Sequence, residues 1–304
     1  MGGFQIFLFG RVRVLREGQP SEINLTPALQ LLFAYLLLER RRFHPREVLA
    51  GLFWSDASPK SARSCLNTAV WRLRGLLDLA DGPQPPLLLT TPSGDIGLNP
   101  DAHFWLDVAS FEDQLAPVLK KPFDQLTPQD VETLKAGLEL YTGDLLDGVY
   151  EDWALSARET QRLLFLKGLT CLMQYCHQAQ EFEHALEAGQ KILALDPLRE
   201  DVHREIMHLY LESGQRALAA RQYEICREML ENELGIAPME ETRLLYERIT
   251  ILESRPRRPS RTPLDLHQAI QHLKEARLNL ELAMREYKMA AAAVEKLAQN
   301  DNHG

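Results

Sequence analysis

The sequence predicts a mainly α-helical chain whose β-structure is confined to small sheets in the first third, and three observations predict it. Between residues 26 and 98, three helical patterns are followed directly by a short strand hairpin. From about 104 to 252, helical periodicity runs almost without a break and repeats in pairs. From 264 to 298, apolar residues recur every seven positions, the pattern of one long C-terminal helix. At 304 residues the chain has length for two domains and an appendage.

In the first third, residues 4–9 and 12–15 are β-rich runs parted by Gly10 and Arg11, and Glu17-Gly18-Gln19-Pro20 reads as a turn, so a small leading sheet is expected. Thr26 then precedes Pro27 at a first helical position, and Leu29, Leu32, Phe33, Leu36 and Leu37 recur at helix spacing. Pro45 starts a second helix with Val48, Leu49, Leu52 and Phe53 apolar, and Trp54-Ser55-Asp56 closes it. Ser58 can cap a third, with Pro59 at its first position and its end near Leu77. After a Pro-rich loop, residues 87–91 and 96–98 form strands around the turn Pro92-Ser93-Gly94. A hairpin directly behind a third helix is the wing of a winged helix-turn-helix.

On the third helix Ala62, Leu66, Ala69, Leu73 and Leu76 share one face, while Arg63, Asn67, Val70 and Arg74 share another. The first is expected to pack and the second to be free. A major groove admits a helix, and Arg and Asn suit base edges, so Arg63, Asn67, Val70 and Arg74 are the base-reading candidates. Lys60 and Arg72 beside them, with Thr90, Thr91 and Ser93 of the hairpin, are the phosphate candidates. The bland alternative is a solvated helix face.

Charge supports a division of labour. Up to His103 there are eleven Lys and Arg against nine Asp and Glu, and beyond it 23 against 34. Contact with double-stranded DNA, mostly Coulombic, therefore belongs to the first third. Cys65, Cys171, Cys176 and Cys226 all fall in helical patterns without Cys-x-x-Cys or Cys/His metal spacing, so buried thiols in a reducing cytoplasm are expected. No apolar run reaches membrane-spanning length, so no membrane contact is expected.

These elements resemble the response-regulator type of winged helix found in the Streptomyces antibiotic regulatory protein group. The resemblance rests on Phe7-Leu8-Phe9-Gly10, on Leu49-Ala50-Gly51-Leu52-Phe53-Trp54, on Ser61-Ala62-Arg63 with Leu66, on Trp71-Arg72-Leu73-Arg74-Gly75-Leu76-Leu77, and on Gly94-Asp95-Ile96-Gly97-Leu98. Gly97-Leu98 stands where that group usually has Gly-Tyr, so an aromatic residue is missing from the wing's end.

Past Phe104, helices are expected at 108–119, 128–140, 151–178, 182–195, 199–212, 216–233 and 239–252. Ala185, Leu186, Ile192 and Asp196-Pro197, then Ile206, Tyr210, Gly214, Ala219, Tyr223 and Cys226, fill core and turn positions of tetratricopeptide units, which stack into an all-α superhelix. The resemblance extends here to the bacterial transcriptional activator domain of the same group. It is carried by Tyr141-Thr142-Gly143-Asp144-Leu145-Leu146, Asp152-Trp153, Asp196-Pro197-Leu198 and Glu231-Asn232-Glu233-Leu234-Gly235-Ile236-Ala237-Pro238. It implies a transcription activator that contacts RNA polymerase or another copy of itself. Trp153 reads either as core or as a partner anchor.

The expected domains are 1–103 for DNA, 104–254 for activation, a Pro/Arg-rich linker at 255–263 and a heptad-like helix at 264–300. Leu266, Leu273, Leu280, Tyr287 and Val294 form one seam position and Ile270 and Met284 the other, interrupted by Arg277. Pairing of two copies into a homodimer and docking back on the same chain both stay open. The alternative function is a tetratricopeptide adaptor whose winged helix does not read DNA. Neither a phosphate loop, a nucleophile elbow nor a zinc pair occurs, so no catalytic residue, cofactor or metal is assigned, and the sequence names no effector.

Overall fold

Alternation puts Phe4 and Ile6 inside and Gln5 outside along β1 (Phe4–Phe7), the first strand of the computed structural model, which describes residues 3–16, 22–77 and 85–251. β2 (Arg13–Arg16) pairs with it antiparallel, Phe4 opposite Arg16. α1 (Pro27–Leu38) follows Thr26, which holds the extended conformation of a helix cap, with Pro27 in the first turn. α1 is buried on most sides because it lies central to the winged helix, with α2 (Arg46–Phe53), α3 (Pro59–Leu77) and the hairpin of β3 (Leu88–Thr90) and β4 (Ile96–Leu98) around it.

A third strand joins the leading sheet. β5 (Phe104–Leu106) runs parallel to β1, with Phe4, Gln5 and Ile6 opposite Phe104, Trp105 and Leu106. The sheet of the first third thus takes one of its strands from just beyond the boundary expected after His103. Residues 1–246 form one compact unit, and a second comprises 247–304. The linker at 255–263 and the heptad helix, with Leu266, Ile270, Leu273, Leu280, Met284, Tyr287 and Val294, lie outside the described residues.

The rest of the first unit is helical: α4 (Asp107–Leu119), α5 (Pro128–Glu139), α6 (Asp152–Gln178), α7 (Phe182–Leu195), α8 (Glu200–Glu212), α9 (Arg216–Leu234) and the start of α10 (Glu240–Ile251). Thr127 and Asp130 form a reciprocal capping box at the head of α5. From α6 to α9 each helix packs on the next, and Ala185, Ile192, Ile206, Ala219, Tyr223 and Cys226 are buried between them, as tetratricopeptide-like stacking requires. Gly189 marks a close crossing. A Cβ there would sit 2.9 Å from Ile206 Cγ1 and 3.1 Å from Met173 Sδ, so any side chain would force α7 away from α6 and α8.

A polar clamp joins two helices of this array. His177 on α6 meets Glu205 Oε1 through Nδ1 (2.6 Å) and Glu212 Oε2 through Nε2 (2.9 Å), both on α8. Burial works to lower the imidazole pKa, but the two carboxylates outweigh it and raise it above the ordinary value. A raised folded-state pKa means that the folded chain binds the proton more tightly. The clamp's contribution is thus complete below about pH 6.5 and declines as pH rises through the raised value. His177→Gln is expected to cost about 1 kcal/mol near pH 5.5 and much less near pH 8.5 in urea unfolding. An equal loss at both pH values would show that the clamp acts without its charge.

The winged helix is joined to the array by main-chain and buried polar contacts. Leu8 N and Phe9 N both donate to Asp107 Oδ2 (2.8 and 2.9 Å), and Val108 N donates to Asp107 Oδ1 (2.7 Å), so one buried carboxylate ties the end of β1 to the start of α4. Burial pushes this carboxyl above the usual carboxylate range against the pull of its three N–H donors. Farther on, Gly10 N donates to Asp144 O, Leu146 N to Leu8 O and Asp147 N to Gly10 O, at 2.8 to 2.9 Å. Arg158 on α6 holds this loop by donating to the carbonyls of Leu145, Leu146 and Val149. Arg40 pairs with Glu112 at 2.6 Å, and Gln161 donates to the other oxygen of that carboxylate.

Aromatic rings close the junction. Trp153 meets Tyr35 of α1 and Phe53 of α2 edge to face, with centroids 5.3 and 6.1 Å away, and Phe9 packs on Phe111 and Tyr141. Of the two readings of Trp153, the structure gives the core one: the ring fills the seam between the two halves.

Candidate nucleic-acid interface

α3 spans nineteen residues without a single acid and carries Lys60, Arg63, Arg72 and Arg74. Its buried side is Ala62, Leu66, Ala69, Val70, Leu73 and Leu77. This stripe recurs at three- and four-residue steps and anchors the helix on the winged-helix core. Ser58 caps the helix start, accepting from Ser61 N at 3.3 Å.

Two sequence expectations change with this helical phase. Val70 is only 3% exposed, so it cannot touch a base without unpacking α3 and is removed from the base-reading set. Leu76, expected to pack, is surface-exposed, and Leu77 takes the core position. Ala62, Leu66, Ala69 and Leu73 are buried as expected, and at 100° per residue positions 63, 67, 70 and 74 lie beside that stripe and not opposite it. The centre of the free face is consequently Lys60, Ser64, Asn67, Thr68 and Trp71. Trp71 is 74% exposed, which for a ring of its size marks a contact surface, and the sequence reading missed it. Its signal was present: Lys60, Asn67 and Trp71 are seven and four residues apart, on one side of an ideal helix.

The remaining candidates fall into two groups. Arg63 lies on the flank facing α2, where it pairs with Glu47 at 2.8 Å; both side chains are exposed, so the pair is weak and exchangeable for a phosphate. Asn67 and Arg74 are tied to the wing: Arg74 Nη2 donates to Thr90 Oγ1 (2.8 Å), while Arg46 Nε donates to Gly94 O (2.8 Å) and its Nη1 to Asn67 Oδ1 (2.6 Å). Arg46, at the head of α2, is a positioning residue that the sequence reading did not single out. Lys60 is exposed on the first turn of α3, whereas Arg72 lies on the opposite flank with Thr26, Trp54 and Cys65 around it. The structure therefore brings Arg63, Asn67, Arg74 and Thr90 together and leaves Arg72 apart.

The wing turn satisfies itself. Thr91 N donates to Asp95 O and Asp95 N to Thr91 Oγ1, and the Ser93 hydroxyl links the Thr91 hydroxyl to the Asp95 carboxylate. Thr91 and Ser93 thus shape the turn, and Thr90 is the wing side chain that faces α3. The hairpin is held against the helices at its base, where His44 and Ile96 exchange main-chain bonds at 2.8 and 2.9 Å. Gly97 is required beside that bridge, because a Cβ would meet Phe43 Cδ1 at 2.7 Å and Arg42 O at 3.1 Å. Burial lowers the His44 pKa, with the neighbouring Arg42 charge acting in the same direction, so His44 is a neutral core residue.

The cysteines divide. Cys176 and Cys226 are buried, and burial pushes their thiols up to about 11 and about 12; Cys171 is half-buried and raised by the same cause. Cys65 is exposed on α3, contrary to the expectation of four buried thiols, because it sits on the Arg72 flank of the helix, off the core stripe. Among the described residues, no helix is long and apolar enough to cross a membrane.

With this geometry in place, comparison with known proteins is informative. Residues 106–250 match the family described as "Bacterial transcriptional activator domain". The chain is 27% identical over 261 residues to the regulatory protein AfsR of Streptomyces coelicolor, covering 82% of this chain and 24% of that protein's length. It is 25% identical over 241 residues to the transcriptional regulatory protein MoaR1 of Mycobacterium tuberculosis, covering 76% of each. Its fold matches that of Mycobacterium tuberculosis EmbR, solved in complex with a low-affinity phosphopeptide. That match has a TM-score of 0.65 at 20% identity over 92% of this chain and 71% of the other.

Proposed function

We propose that the chain is a transcription regulator of the Streptomyces antibiotic regulatory protein type, which its match to the bacterial transcriptional activator domain and its likeness to AfsR and MoaR1 support, and that it binds duplex DNA sequence-specifically and activates transcription. α3 enters the major groove with Asn67 and Arg74 at base edges and Trp71 against the sugar or base faces. Lys60, Arg63 and Thr90 hold phosphates. The observation that carries this reading is a nineteen-residue helix free of acids, with its polar side chains and one exposed Trp turned outward and its wing fastened by Arg46 and Arg74. The acidic array, which DNA would repel, is then free to meet RNA polymerase beside the operator. No step of this reading is catalytic. A second copy is expected to pair through residues 264–298, giving a homodimer; the same number of chains per particle by light scattering for the full chain and a chain stopped at Ser254 would remove that role. Action in the cytoplasm follows from a DNA target.

The test is binding to a duplex enriched from a random pool by the intact protein, beside an unselected duplex. Wild-type binding is expected to weaken steeply with salt. Arg74→Ala should cost about 1–3 kcal/mol on the enriched duplex and far less on the unselected one, whereas Lys60→Ala should weaken both alike. Val70→Ala should lower stability by about 1–3 kcal/mol and leave the order of base preferences unchanged. Equal binding of the enriched duplex by wild type and an Arg63/Arg74 double alanine variant would overturn the assignment. A chain that binds no duplex at any salt would favour the adaptor reading.

A further inference from the structure

We infer that Arg46 selects the base read by α3: by engaging the carboxamide oxygen of Asn67 it weakens that oxygen as an acceptor for a base and makes the amino end the principal contact, and so biases the facing base toward guanine. This rests on the DNA-binding reading above and goes further by naming the chemistry of one base pair.

Arg46 projects from the first turn of α2 and is half-buried between the wing turn and α3. Its Nε is fixed on Gly94 O at 2.8 Å and its Nη1 on Asn67 Oδ1 at 2.6 Å, so one rigid planar group touches both surfaces that would flank the DNA. Neighbouring acids do not compete for it: Glu47 is engaged by Arg63, and Asp95 accepts from Ser93. An asparagine free at both ends can match adenine, giving N–H to N7 and accepting from the N6 amino group. Here the accepting end already bonds a cation, which turns one lone pair away from the base and weakens the other as an acceptor, so the amino end carries the contact. In the major groove guanine offers two acceptors, N7 and O6; thymine offers O4; cytosine offers only the donor N4. The guanidinium charge beside Asn67 favours the same acceptor-rich edges. Arg46 is therefore a positioning residue acting through Asn67, not a reader itself.

The experiment uses the full chain and the enriched duplex, with each base pair substituted in turn. Loss of discrimination in Asn67→Ala identifies the pair facing Asn67. At that pair wild type is expected to prefer guanine over adenine by about tenfold or more, and Arg46→Ala to reduce that ratio to near unity by freeing the oxygen to accept from adenine. Asn67→Asp keeps the Arg46 contact but can only accept, and should move the preference toward cytosine or adenine; it decides the matter if Arg46→Ala does not fold. Adenine preference in wild type, or a guanine preference untouched by both substitutions, would overturn the inference while leaving DNA binding intact. Absence of any duplex binding would overturn both.

Discussion

Replacing Asp107 with alanine is expected to destabilise the folded chain by about 3–5 kcal/mol, seen as a large fall in the urea midpoint. Three buried main-chain N–H groups, of Leu8, Phe9 and Val108, lose their acceptor at once, and no other acceptor is bonded to them by a side chain. Each is left desolvated, which costs more than the hydrogen bond itself contributes. Asp107→Asn keeps one accepting oxygen and should cost less than alanine. A change below about 1 kcal/mol for the alanine variant would mean that water reaches the site and that the carboxylate is not what joins sheet to helix.

A chain stopped at His103 is expected to lose cooperative unfolding, and with it duplex binding, while a chain of residues 1–246 keeps both. The short fragment lacks β5, so β1 loses its parallel partner, and it also lacks Asp107, the backbone partners of Leu8 and Gly10, and Trp153 over Tyr35 and Phe53. Its exposed strand edge and uncovered aromatic rings would favour aggregation. Charge and periodicity both change near His103, and they suggest an independent module; the contacts do not. Calorimetry decides it: a sharp transition for 1–103 matching that of the longer chain would restore the boundary.

The helices were legible because their signals are local. Thr26 before Pro27 and Ser58 before Pro59 mark helix starts, and the observed ends agree with the pattern to within a residue or two. β5 was not legible, since three residues, Phe-Trp-Leu, carry no periodicity and its partner lies a hundred positions earlier. On α3 the buried stripe includes both Ala69 and Val70, so a face drawn through 63, 67, 70 and 74 lies on its flank, about one residue out of phase with the side opposite the stripe. That single slip put Val70 outside and hid Trp71. Arg46 could not be found by pattern at all, because its role depends on a glycine carbonyl 48 residues away.

The main-chain bonds between residues 8–10 and 144–147 have one more consequence, which concerns the promoter and not the protein. A reading helix hung on a flexible tether leaves its body free to find a partner on any side of the duplex. If α3 reads DNA as proposed above, the body has a fixed azimuth relative to the groove. Moving the operator by half a helical turn, about five base pairs, would carry the acidic array to the far side of the DNA, and a full turn of about ten would bring it back. Transcription from spacer series should then oscillate with the pitch of DNA instead of falling smoothly with distance.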